Sequence, residues 1–355
     1  MSENTIKINQ IPSPTWNWLG MNEAIIDMGV VCSKDDDVKI TLPDDIEASV
    51  KESDYGSDIK GAMGEVFDEN LARSAGSTEV LTLGDNVKCK TPVVISAEFK
   101  KECAGGKRFV IEAGRGSELT VLQDFSSEEN ASGRGCMQTL VSAGEGAKVK
   151  IIQIARLNGD YELLNDLGVT AQRNAHIEVV HIFLGGNKIY QGCNIDLAGD
   201  NSSVKKDIGY FLRDEQDLDM NYVVVHKGKE TRCDIKASGV LEGQSSKLFR
   251  GTIDFRNGCA GAKGAEIEEV ILRDDTVSNK TIPVILCAEE DVEGSHGATI
   301  GRLDEDLIFY MQTRGLEEEE IYRLISENRL LAFCDKIPDG EIRKKTMTYL
   351  SKEQE

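Results

Sequence analysis

Between residues 93 and 282 the chain consists of short runs in which apolar and polar side chains alternate, at 108–112, 118–123, 149–154, 176–183, 220–226 and 246–255. A period of two is that of a strand with one face buried. Most runs are bounded by Gly, Asn, Asp or Ser. All six prolines lie outside the stretch, at 12, 14, 43, 92, 283 and 338; proline cannot donate to a strand ladder, so its absence favours continuous sheet. The small or turn-forming residues ahead of successive runs are Gly116, Gly146, Asn174, Asn201 and Gly228, spaced 30, 28, 27 and 27 apart, a repeat signature. The connecting pieces are glycine-rich and too short for helices, which excludes βαβ units. Strands wound as coils of a β-helix account for the spacing better than a sandwich, which stays open because hairpin strands also alternate.

The ends read differently. Over residues 58–73, Ile59, Met63, Val66, Phe67 and Leu71 recur at helical spacing. From Asp304 the pattern is helical to the end: Leu303, Leu307, Tyr310 and Met311 form one stripe, and Gly315 stops it. Glu317 to Glu320 then fall in the first turn of a second helix, where the dipole favours carboxylates, and Pro338 opens a third. The organisation expected is an N-terminal helical or mixed region over 1–76, a β-helix core over 77–300 and a C-terminal helical region over 301–355.

Composition narrows the function. The 355 residues carry 41 Lys+Arg against 62 Asp+Glu, a formal charge of −21. A surface this acidic repels phosphate backbones, and no basic cluster interleaved with aromatics relieves it, so nucleic acid is excluded as a partner. No apolar run approaches the ~18 residues of a bilayer helix, and residues 1–9 lack a basic stretch followed by an apolar one, so membrane insertion and secretion are not expected. Nine cysteines, at 32, 89, 103, 136, 193, 233, 259, 287 and 334, form no CxxC pair. They read as reduced thiols of a cytoplasmic protein.

Catalytic motifs are missing. Gly105-Gly106-Lys107-Arg108 lacks the glycine spacing and the hydroxyl residue of a phosphate loop, so the chain is not expected to hydrolyse ATP. Gly114 and Gly116 begin a GxGxxG that Leu119 breaks, and no GxSxG elbow occurs. Cys233, Cys259 and Cys287 are spaced near the coil period and would stack as a thiol column if they shared a face; core packing is the plainer reading. The segment richest in chemistry runs from Ser295-His296-Gly297-Ala298-Thr299 to Leu303-Asp304. His296 stands among small residues just before a helix, which leaves its imidazole accessible as a ligand for iron; a lone histidine more often packs or hydrogen-bonds.

This segment, with the Leu307 to Gly315 helix behind it, resembles the SufB/SufD family of iron-sulfur cluster assembly proteins. Trp16-Asn17-Trp18-Leu19 and Gly251-Thr252-Ile253-Asp254-Phe255 extend the resemblance toward both ends. It implies a right-handed parallel β-helix between N- and C-terminal helical regions. It also implies a SufD-like, non-catalytic subunit that pairs with a SufB-like paralogue or with itself and carries a SufC-like ATPase on its C-terminal helices. An iron-sulfur cluster or iron would be held transiently at the subunit interface, with His296 as the candidate ligand; a flavin enters through the family alone, with no residue pattern here to support it. Gly297 follows the histidine where SufB has a glutamate, SufB's essential cysteine falls near Ile267, and Gly294 stands where some SufD proteins have a cysteine. The alternatives are a SufB-like scaffold and, from another class, a β-helix polysaccharide-processing enzyme.

Overall fold

The computed structural model describes residues 5–13, 15–28, 37–100, 103–128, 132–158 and 160–352; Pro14 and Cys32 lie outside these. The alternating runs are strands, and they stack. An antiparallel pair, β1 (Thr5–Ile8) and β2 (Ala24–Asp27), is followed by β3 (Asp37–Thr41), β4 (Ile46–Lys51) and helix α1 (Glu65–Ala75). Then come β5 (Thr78–Leu83), β6 (Val93–Phe99), β7 (Cys103–Ala113), β8 (Glu118–Ser127), β9 (Ser132–Ala143), β10 (Lys148–Leu157), β11 (Asp160–Ala171) and β12 (His176–Gly185). The series closes with β13 (Lys188–Leu197), β14 (Ser203–Leu212), β15 (Asp217–His226), β16 (Arg232–Leu241), β17 (Ser246–Phe255), β18 (Ala262–Leu272), β19 (Ser278–Cys287) and β20 (Val292–Gly301). One sheet runs from β3 through the even-numbered strands β6 to β20; the other runs from β4 through the odd-numbered strands β5 to β19. After antiparallel starts at β3–β6 and β4–β5, neighbours pair in parallel. The result is a β-solenoid of about seven turns.

The coil period comes from one corner. Asn86, Gly116, Gly146, Asn174, Asn201, Glu230 and Gly261 all have positive φ; each of the first six donates its N–H to the carbonyl just before the next member, at 2.6 to 2.9 Å, and Gly261 donates to Asp291 O at 2.7 Å. Left-handed backbone favours Gly and Asn, which is why four of the five positions taken from the sequence are right. The fifth is corrected: the corner residue is Glu230, not Gly228. Gly261, one coil on, makes room for it, since a Cβ there would lie 2.5 Å from Glu230 Oε1.

Inner side chains of both sheets fill the lumen from Leu81 and Val93 to Phe255 and Val270. The outer faces are covered as well. Helix α3 (Glu318–Cys334) and helix α4 (Gly340–Lys352) lie over Leu122, Ile152, Val180, Ile182, Phe211 and Val240 of the even-numbered sheet. Over the odd-numbered sheet lie Ile8, Ile26, Met63, Phe67 and Leu71, against Cys136, Leu164 and Tyr190. Burial on both faces explains the near-continuous apolar run of Ile151, Ile152 and Ile154. Gly209 lies beneath Phe333, where a Cβ would come within 2.8 Å of the ring.

The helical readings need correction in three places. Helix α1 begins at Glu65, so Ile59 and Met63 are buried from the preceding turn, and Val66 is exposed. Helix α2 (Glu305–Gln312) buries none of its residues: Leu303 ahead of it and Ile308 pack against the cluster beneath α3 and α4, while Leu307 and Tyr310 face outward. Pro338 precedes α4 by two residues, and Asp339 caps it, its carboxylate accepting the Ile342 N–H at 2.9 Å. The phosphate-loop lookalike Gly105–Arg108 lies within strand β7.

Helix α1 docks through paired carboxylates. Gln138 Nε2 donates to Asp68 Oδ1 at 2.6 Å and to Asp166 Oδ2 at 3.1 Å, and Asp166 Oδ1 accepts the Ala62 N–H at 2.9 Å. Burial first, and Asp166 second, push the Asp68 carboxyl up to about 7, against Gln138, Lys60 and Arg108. Burial likewise raises Asp166. A raised folded-state pKa gives stability that is full below the unfolded value near 4 and is lost as pH climbs through 7. The urea midpoint should therefore fall between pH 5 and 8, and Asp68→Asn should flatten that slope; an unchanged slope would exclude the pair as its source.

Candidate functional site

Both sheets end on uncovered strands. β19 pairs only with β17 and β20 only with β18, and every residue of β20 is exposed or half-buried. Pro283, the first proline after the long gap, lies in β19, where an edge strand tolerates it. His296 is exposed at the middle of β20, in register with Glu266 of β18. Behind them on the same inner row lie Ile235 of β16 and Lys206 of β14. His296 therefore ends a row that continues into the lumen.

That lumen is unusually polar. The Glu268 carboxylate accepts from Lys247 Nζ at 2.5 Å, Tyr210 Oη at 3.1 Å and Thr281 Oγ1 at 2.6 Å. Burial pulls the Lys247 ammonium down from its ordinary value, and Glu268 opposes the shift. Glu266, on the same face two residues away, is 3% exposed. Among the described residues nothing donates a hydrogen bond to its carboxylate. Burial and then the Glu268 charge push it up to about 7, against Lys206 and Lys247. Its carboxylate reaches across the lumen to Gly251, where a Cβ would meet Oε2 at 1.9 Å. Deeper in, the buried Lys206 ammonium lies 5.1 Å from the Tyr222 ring centroid. His181 Nδ1 meets the Tyr222 hydroxyl, and burial with Lys206 lowers its pKa to about 3, so the ring is neutral.

The thiol column does not form. Cys233 is buried in β16 and faces Gly264 in register, Cys259 is buried in the turn after β17, and Cys287 is exposed at the end of β19. Register, not spacing alone, decides which side chains stack. The position near Ile267 points outward, 47% exposed. Among the described residues no group of three or more His, Cys, Asp or Glu side chains is arranged to hold a metal. This chain sets His296 and Glu266 in register on adjacent strands, with Gly294 and Ala298 beside His296 on the inner row. An imidazole and an unpartnered carboxylate suit ferrous iron as donors.

Beyond β20, Asp304 caps α2 by accepting the Asp306 and Leu307 N–H groups at 2.9 and 3.1 Å. The helix presents Phe309 at 68% and Tyr310 at 55% exposure, with Leu307 beside them. A profile of the SUF system FeS cluster assembly proteins, the SufBD core domain, matches residues 97–328, which span the solenoid from β6 to its open end and continue into α3. The chain belongs to the SufBD family. Among its relatives is the iron-sulfur cluster assembly protein SufD of Bacillus subtilis, 23% identical over 273 residues, covering 75% of this chain and 62% of the relative. The chloroplastic SufBD family protein ABCI8 of Arabidopsis thaliana is 23% identical over 266 residues, covering 72% and 47%. The SufBD family protein ML0594 of Mycobacterium leprae is 21% identical over 287 residues, covering 78% and 72%. The first two relatives are thus matched over less than two thirds of their own length. As for membranes, no helix among the described residues is long and apolar enough to cross one.

His296 was legible in the sequence as an accessible imidazole, and Glu266 was not. One coil period back from the histidine would have found it, since the register sets the two 30 residues apart.

Proposed function

We propose that this chain is a SufD-like, non-catalytic subunit of a cytosolic iron-sulfur assembly complex. It pairs through the open end of its solenoid with a SufB-like paralogue or a second copy, and carries a SufC-like ATPase on its C-terminal helical region. The observation that carries this reading is the uncapped pair of edge strands, β19 and β20, with His296 exposed between small residues. An unpaired strand edge is a template for another strand, and a histidine on it meets whatever the partner brings. The cluster, or its iron, is then the cargo held at that junction.

The outward apolar face of α2 supports the second contact, because α3 and α4 are already committed to covering the solenoid. Deleting residues 304–355 would strip that cover, so point substitutions make the cleaner experiment. The wild-type chain, His296→Ala and Phe309→Asp should each be purified by affinity from the native cell, with co-purifying subunits identified and iron and sulfide measured. His296→Ala should keep its partners and lose most of its iron and sulfide. Phe309→Asp should keep the paralogue and lose the ATPase. Normal iron and sulfide in an assembled His296→Ala complex, or ATPase retained by Phe309→Asp, would overturn the corresponding assignment.

A further inference from the structure

The inner row that ends on His296 has an anomaly one coil below. Two glutamates of β18 face the lumen together, and their treatment differs. Glu268 is held by Lys247, Tyr210 and Thr281. Glu266 is as deeply placed, yet among the described residues it accepts no hydrogen bond. A buried carboxylate without donors costs stability unless a cation or proton compensates it. It is retained where Gly251 leaves the space that a side chain would fill. Toward the open end its in-register neighbour is His296 of edge strand β20. Neighbouring strands stand about 4.8 Å apart, so one ion bridges an imidazole and a carboxylate on the same face of adjacent strands when the Glu266 side chain turns from Gly251 toward β20.

We propose that Glu266 and His296 together form a seat for a divalent transition-metal ion at the open end of the solenoid, with Glu266 as the carboxylate ligand. This rests on reading His296 as a ligand and adds its partner within the chain. The ion gains one oxygen and one nitrogen bond; if the carboxyl is protonated beforehand, one proton leaves to solvent. Two ligands leave the remaining coordination positions open, as suits an ion that is handed on to a partner.

Cobalt(II) titrated into the purified full-length chain, followed by calorimetry and by the visible ligand-field absorption, tests the seat. Wild type should bind one equivalent. Glu266→Gln keeps the shape and removes the charge; it should weaken cobalt at least tenfold and leave the thermal midpoint equal or higher, because no hydrogen bond is lost. His296→Ala should weaken it similarly, and the double variant should be little worse than either single one, since both act on one ion. If Glu266→Gln does not fold, Glu266→Asp carries the same expected weakening through its shorter reach. Cobalt binding by Glu266→Gln within twofold of wild type, or no saturable binding by wild type, overturns the proposal. Weakening by His296→Ala alone would reject Glu266 while sparing the reading of His296; normal iron and sulfide in the assembled His296→Ala complex would reject that reading itself.

Discussion

Replacing Arg250 by leucine should destabilise the protein by about 3–5 kcal/mol and loosen the N-terminal segment from the solenoid. The guanidinium is fully buried. Its Nη1 and Nη2 donate to the two Asp219 oxygens at 2.6 and 3.1 Å, and its Nε donates to the Met21 carbonyl at 2.7 Å. Asp219 is held from the other side by Asn9 Nδ2 at 2.7 Å. One arginine on β17 therefore ties the second sheet to two points of a segment more than two hundred residues away. Removing it leaves a buried carboxylate with one donor, which is the expensive half of a broken ion pair. Urea unfolding would measure the loss, and limited proteolysis within residues 9–28 would report the detachment. Arg250→Leu combined with Asp219→Leu should recover part of the stability. A single variant within 1 kcal/mol of wild type, a margin typical of exposed pairs, would contradict the account.

The second large effect concerns pairing. Lys263 donates its N–H back to Thr231 O at 2.9 Å, as Arg232 does to Ser202 O and Ser203 to Ala175 O. Lys263 is in register with Glu293, and successive residues of a strand point their N–H groups to opposite sides. The N–H groups of Gly294, His296, Ala298 and Ile300 therefore face the free edge. Ala298→Pro removes a donor from that edge and sets a ring against an incoming strand, while the ladder to β18 keeps its bonds. Pairing should weaken by about a hundredfold, the lost bond and the obstruction together amounting to about 3 kcal/mol, with unchanged far-ultraviolet circular dichroism. Sedimentation or co-purification measures this directly. Undiminished pairing would mean that the partners meet elsewhere.

How far such features are readable in advance depends on what fixes them. The coil period was legible because a corner with positive φ selects Gly or Asn, and the reading slipped where Glu230 takes that conformation with Gly261 making room. The absence of proline marked the interior strands, and Pro283 falls in the edge strand β19. Helical stripes in α1 and α2 were legible as amphipathic, but a stripe does not say what covers it: Phe67 and Leu71 are buried against the solenoid, whereas Phe309 and Tyr310 stay exposed. Glu266 stands among acidic residues at 266, 268 and 269 that the sequence pattern does not separate. Only the register shows that Glu266 and Glu268 turn inward while Ile267 and Glu269 turn out.

The two ends of the stack also differ in a way that bears on when the molecule becomes fully ordered. At its start the sheets are closed by short antiparallel strands carrying Lys39, Glu47 and Lys51; at its finish the last coil is supported from one side. In a stack whose stability is a sum of coil and neighbour contributions, the coil with one neighbour frays first, so amide protection should decline toward β19 and β20. A partner seated there supplies the missing neighbour, and by mass action its concentration sets how much of the time that coil is formed. If the proposed pairing holds, a chain made without its mate would carry a frayed last coil that proteases can cut, and its abundance would follow that of the partner.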